Sequence, residues 1–201
     1  MYVTLNLDQF DINNIFTSEK TKNNIMNHSD FYRLYFSNDE MVMNGVYLNF
    51  NLKNVTIEKY FNKIKCCYDE SIYNSQIINK IVDIEKSIVD KCDDINSKSC
   101  YRIDEQMSHK YIKIFDQNKL KLGHYKNLSI LLKISGIWSS NKTEQYGLTF
   151  RFFINHWTLN LVWNSTTKYI VKKNDNNNKL NIIPFACTLS YIGTILPDLL
   201  S

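Results

Sequence analysis

From Leu131 to Ile154 the chain alternates between apolar and polar residues in two successive runs, and this constrains the fold more than any other feature. In Leu131–Trp138, Leu132, Ile134 and Trp138 fall on one side and Lys133 and Ser135 on the other. After a short polar link, Gly147–Ile154 sets Leu148, Phe150, Phe152 and Ile154 against Thr149, Arg151 and Phe153. Successive side chains of a strand point to opposite faces, so the two runs read as a pair of half-buried strands. On this parity Trp138 belongs to the core, while Lys133, Arg151 and Phe153 stay outside. The same pattern recurs upstream. Met41–Leu52 sets Val46, Leu48, Phe50 and Leu52 against Tyr47, Asn49, Asn51 and Lys53, and Phe31–Phe36 precedes it across the polar link Ser37–Glu40, which predicts a hairpin. Val3, Leu5 and Leu7, then Tyr111–Phe115 and Trp157–Trp163, add further strand signals.

One segment changes period. Ile77, Ile81, Ile84 and Ile88 recur at helical spacing, with Ile78, Val82 and Val89 widening the stripe. They predict an amphipathic helix over 74–92 with Asn74 or Ser75 as N-cap. The expected fold is therefore mainly β with one prominent α-helix. The order of three strands, a helix and two strands suits an OB-like barrel with its helix between the third and fourth strands. A β-sandwich with an inserted helix gives nearly the same linear pattern. Residues 1–171 form the expected single β-rich domain, 172–180 a polar loop and 181–201 an apolar C-terminal segment. That last segment holds Pro184, Gly193, Pro197 and Asp198, and only about 15 residues run uninterrupted, short of the roughly 18 of a membrane span. Packing against the domain is expected, with a membrane partner disfavoured.

Composition narrows the chemistry. With 201 residues, 44% of them apolar and 22% charged, the chain can build a sizeable core and is not disordered. Abundant Asn, Lys, Ile and Tyr match an AT-rich coding sequence, and a net charge of +4 favours anionic partners only mildly. Met1–Asp8 lacks the pattern of a secretory signal, so an intracellular location in cytoplasm or nucleus is expected. There the five cysteines Cys66, Cys67, Cys92, Cys100 and Cys187 stay reduced. His28, His109, His124 and His156 are scattered, the spacing of Cys92, Cys100 and His109 fits no zinc motif, and no Gly-rich phosphate loop occurs. Asp93-Asp94 and Asp104-Glu105 sit in loop-like sequence. No catalytic constellation, metal site or cofactor is expected, and the chain does not read as an enzyme.

The outward faces are more informative. Four strands place a cation there: Arg33, Lys113, Lys133 and Arg151. Rings stand two positions away on three of them, namely Tyr35, then Tyr111 and Phe115, then Phe153, and Tyr47 faces outward from its own strand. Rings that stack on bases beside cations that track phosphates are what sequence-tolerant binding of a single strand requires. Lys110, Lys119, Lys121 and Lys126 against the single acid Asp116 make the stretch 106–133 more basic than the chain as a whole.

The segments Leu131-Leu132-Lys133-Ile134-Ser135-Gly136-Ile137-Trp138 and Tyr146-Gly147-Leu148-Thr149-Phe150-Arg151-Phe152 resemble the closing hairpin of a group of proteins from nucleocytoplasmic large DNA viruses. That group looks related to the phage-type, OB-fold single-stranded DNA-binding proteins. Met43–Leu52 is similar to a second segment of the group, so the resemblance covers about residues 30–155. It implies an OB fold and a protein that coats single-stranded DNA in replication, recombination or repair. Replication proteins and further copies of the chain are the other partners expected. The phage-type proteins end in an acidic tail, whereas here the sequence closes Pro197-Asp198-Leu199-Leu200-Ser201. The competing expectation is a viral structural or scaffolding protein that makes protein–protein contacts through its β-domain and apolar C-terminal segment.

Overall fold

The structure, a computed structural model, describes residues 3–61, 63–92, 97–115 and 121–155, together with the backbone of three later strands. Seven strands precede the first α-helix: β1 (Val3–Asn6), β2 (Ile15–Thr17), β3 (Thr21–Lys22), β4 (Ser29–Ser37), β5 (Val42–Asn44), β6 (Val46–Tyr60) and β7 (Lys63–Tyr68). Helix α1 (Ile72–Asp90), β8 (Lys98–Cys100) and the short α2 (Arg102–Ser108) follow. The chain then runs through β9 (Tyr111–Ile114), β10 (Gly123–Ser140), β11 (Gln145–Ile154), β12 (Leu159–Asn164), β13 (Thr167–Lys173) and β14 (Leu180–Pro184). Among the described residues the protein is thus mainly β, with a second, short α-helix beside the prominent one. Asp93-Asp94, Asp116, Lys119, Cys187, residues 174–179 and residues 185–201 lie outside the described residues.

The chain divides into two compact units, residues 6–155 and residues 1–5 with 156–201. In the smaller, β1 pairs in parallel with β12, and β12, β13 and β14 form an antiparallel meander. The polar stretch expected at 172–180 overlaps β13 at Lys172 and Lys173 and β14 at Leu180.

In the larger unit five strands close a ring. β6 pairs with β7, β7 with β9, β9 in parallel with β11, β11 with β10, and β10 returns to β6. The ring interior is filled by the residues whose alternation marked the strands: Leu48, Leu52, Ile112, Ile130, Leu132, Ile134 and Phe152 are all buried. The expected hairpin forms, but briefly. β4 pairs with β5 at Phe36–Met43 and Ser37–Val42, and the chain then turns away at Gly45. Gly45 has φ of 95°, and a Cβ there would lie 2.8 Å from the Ile134 carbonyl oxygen. Only glycine meets both demands at low cost. β4 instead lies along the second half of β10, outside the ring, with Gly136 opposite Arg33 and Trp138 opposite Phe31.

Three sequence expectations change. The helix starts at Ile72 with Ser71 as N-cap, two residues before the expected start, because Asn74 is occupied elsewhere. Buried Asn74 accepts from the Lys53 N–H and donates to the Lys53 carbonyl, both at 2.9 Å, which ties α1 to β6. The helix also enters between the second and third strands of the ring, not between the third and fourth, since β7 lies before it. Asp104 and Glu105 sit in α2 rather than in a loop, anchored by buried Ile103 and Met107 one turn apart.

Candidate nucleic-acid interface

Register places most of the expected residues along one row. Tyr47 on β6 stands opposite Lys133 on β10, which stands opposite Arg151 on β11. The Lys133 ammonium is 5.2 Å from the Tyr47 ring centroid. Arg151 is exposed and its guanidinium lies 4.6 Å from the centre of the Phe115 ring, which is 56% exposed just past β9. Phe153 packs on the same Phe115 at 6.4 Å between centroids. On β9, Ile112 and Ile114 are buried while Tyr111 and Lys113 face outward, as the alternation requires. The Lys113 ammonium is 5.8 Å from the Tyr111 ring.

Lys65 on β7 continues the row, and sequence reasoning missed it. It stands opposite Lys113, with its ammonium 4.3 Å from the Tyr111 ring and 3.9 Å from that of Tyr60. The available signal was the alternation of Ile64, Cys66 and Tyr68, which leaves Lys65 pointing away from the core. Beside it the β6–β7 turn exposes Tyr60 and Phe61, whose rings meet edge to face at 4.8 Å. Glu58, opposite Lys65, brings an acid to this end of the row. Each cation lies within cation–π range of a ring.

Arg33 and Tyr35 are not in the row. They lie on β4, which borders the ring instead of belonging to it. Arg33 is exposed as expected, but its guanidinium donates to Asn44 Oδ1 at 3.3 Å and rests 5.9 Å from the Phe31 ring. Trp138 departs from its expected parity. A bulge between Ile134 and Gly136 sets two residues of β10 against one of β11, so the faces exchange beyond it. Ile137 is fully buried in the place the alternation gave to Trp138, and Trp138 is half-buried on the outer side, next to Phe31.

Where β9 and β11 meet α2, a pocket of about 410 Å³ adjoins the row. Its wall is firmly placed. Buried Glu85 on α1 accepts from the N–H groups of Ile103 and Asp104 at 2.8 and 2.7 Å, and the Tyr68 hydroxyl donates to the Met107 carbonyl at 3.0 Å. Burial pushes the Glu85 carboxyl above the usual carboxylate range, against the opposing pull of those two backbone donors. Burial likewise pushes the Cys66 thiol up to about 12, leaving it protonated at neutral pH, when thiols are poor nucleophiles. Among the described residues, no three His, Cys, Asp or Glu side chains stand together to hold a metal ion, and no helix is long and apolar enough to cross a membrane. Comparisons with models of known protein families, with curated proteins and with solved structures return no match.

Proposed function

We propose that the five-stranded ring is an OB-like barrel and that the chain is a non-enzymatic protein binding single-stranded nucleic acid. Its setting is the replication, recombination or repair of a large DNA virus. The observation that carries this reading is the run of interleaved cations and rings, four and three in number, across the ring strands: Tyr47, Lys133, Arg151, Phe115, Lys113, Tyr111 and Lys65. The OB-like reading is supported by the fourth strand of the ring returning to pair with the first, and by the parallel pairing of the third with the fifth. Such Greek-key rings bind oligonucleotides across their strands. The helix entering one connection earlier than in the expected pattern leaves the strand pairing of the ring unchanged.

Titration of a labelled dT oligonucleotide at two salt concentrations tests the reading. Binding that weakens steeply with salt is expected, because cations on phosphates release counterions. No binding at low salt into the high micromolar range would remove it.

A further inference from the structure

The row accounts for a strand lying across the outer face, but not for the pocket beside it. A strand stacked on a convex sheet has no need of a cavity of about 410 Å³, a volume typical of small-ligand sites at roughly 300–1,000 Å³. Arg102 from α2, Lys113 from β9 and Arg151 from β11 line it, against the single acid Glu105. The pocket thus carries a surplus of two positive charges. The Arg102–Glu105 ion pair does little to reduce it, being 3.5 Å long with both side chains more than half exposed. Phe115 and Phe150 supply aromatic wall on the β side. Gln106 ties α2 to β9 at the pocket wall, its Oε1 accepting from the Lys113 N–H at 3.4 Å.

Cations and rings in one cavity match a nucleotide, and the charge decides which kind. An internal phosphodiester brings one negative charge, whereas a terminal phosphomonoester brings about −1.5 to −2 at pH 7 and three acceptor oxygens. We infer that the pocket receives a nucleotide bearing a terminal phosphomonoester, its phosphate on Arg102, Lys113 and Arg151 and its base against Phe115. This rests on the reading of the adjoining row as a nucleic-acid interface, and makes the protein a binder of phosphorylated strand ends as well as of strand interiors. A free mononucleotide shares the same chemistry.

The test uses three dT oligonucleotides of equal length, labelled internally and carrying a 5′-phosphate, a 3′-phosphate or hydroxyls at both ends. One phosphorylated form should bind about tenfold tighter than the hydroxyl form, as charge-assisted hydrogen bonds to the extra charge require. Arg102→Gln should bring that ratio to one, and Arg102→Lys should keep part of it. Arg102 is exposed at the start of α2, so the fold should survive both changes. Thymidine 5′-monophosphate that competes with the phosphorylated oligonucleotide in the unaltered protein, and only more weakly in Arg102→Gln, supports the pocket and shows that a free nucleotide also fills it. Equal affinity for all three oligonucleotides overturns the inference and leaves the row standing, as does a ratio that persists in Arg102→Gln. Failure of all three to bind overturns the row and the pocket together.

Discussion

At the scale of single residues, Arg151 and Phe115 separate binding from stability. Both are exposed, so neither substitution should move stability by more than about 0.5 kcal/mol. Phe115→Ala removes a stacking platform and should weaken dT binding by about 1–3 kcal/mol, measured by titration beside a thermal melt. Arg151→Ala should weaken binding and also lower the steepness of its salt dependence, by about 0.7 in a log–log plot. Glu85 acts in the opposite sense, on the fold. Its carboxyl titrates above the usual range in the folded chain, so the stability linked to it is greatest below the ordinary carboxylate range and falls as pH rises through the raised one. Glu85→Gln cannot titrate and should lose that fall in melting temperature as pH rises above the ordinary carboxylate range. It also turns an amide N–H2 toward a backbone N–H, which should destabilise the protein by about 1–3 kcal/mol at neutral pH. Neither role of Glu85 is legible in sequence, where it is one charge in a helix. Its partners at Ile103 and Asp104 come from another element.

At the scale of elements, β10 organises the larger unit. Its first part pairs with β6 and its second with β4, and the change falls at the bulge beside Gly136. A Cβ at Gly136 would meet Phe31 Cζ at 2.3 Å and the Tyr32 carbonyl oxygen at 2.4 Å. Phe31 can rotate away, but the carbonyl belongs to the β4 backbone and cannot. Gly136→Ala should therefore push β4 off β10 and destabilise the protein by about 1–3 kcal/mol. Hydrogen exchange should rise in the amides of Ser29–Arg33 while those of the β6–β10 ladder keep their protection. The bulge also explains why alternation failed for Trp138 while it served for β9 and for β11 apart from Phe150, which is half-buried and lines the pocket. Parity holds only while register does, and one extra residue in a strand inverts it. Being half-buried, Trp138→Ala should fall below the roughly 3–5 kcal/mol of a fully buried aromatic. Helix α1 was plain from its isoleucine stripe. Helix α2 was not, because two apolar residues over seven positions are too few to establish a period.

At the scale of the whole molecule, ring closure decides which residues can act together. Four cations in the row, Lys65, Lys113, Lys133 and Arg151, come from β7, β9, β10 and β11. If each meets one phosphate, the logarithm of affinity for a single strand should fall with the logarithm of salt with a slope of about −3. A slope near zero in the dT titration would mean that the row does not carry the binding. Residue pattern alone sets the chain as mainly β with an amphipathic helix, and sets which side chains of β9 and β11 face outward, because alternation and helical period are local properties of the chain. It also supplied the cations and rings, strand by strand. Long-range pairing is what takes β4 out of the ring with Arg33 and Tyr35, brings Lys65 to Tyr111 and lets α2 close a pocket against β9 and β11. Those outcomes depend on pairing between residues far apart in sequence, on one bulge and on the close approach at two glycines, none of which leaves a periodic signal in the strands it rearranges.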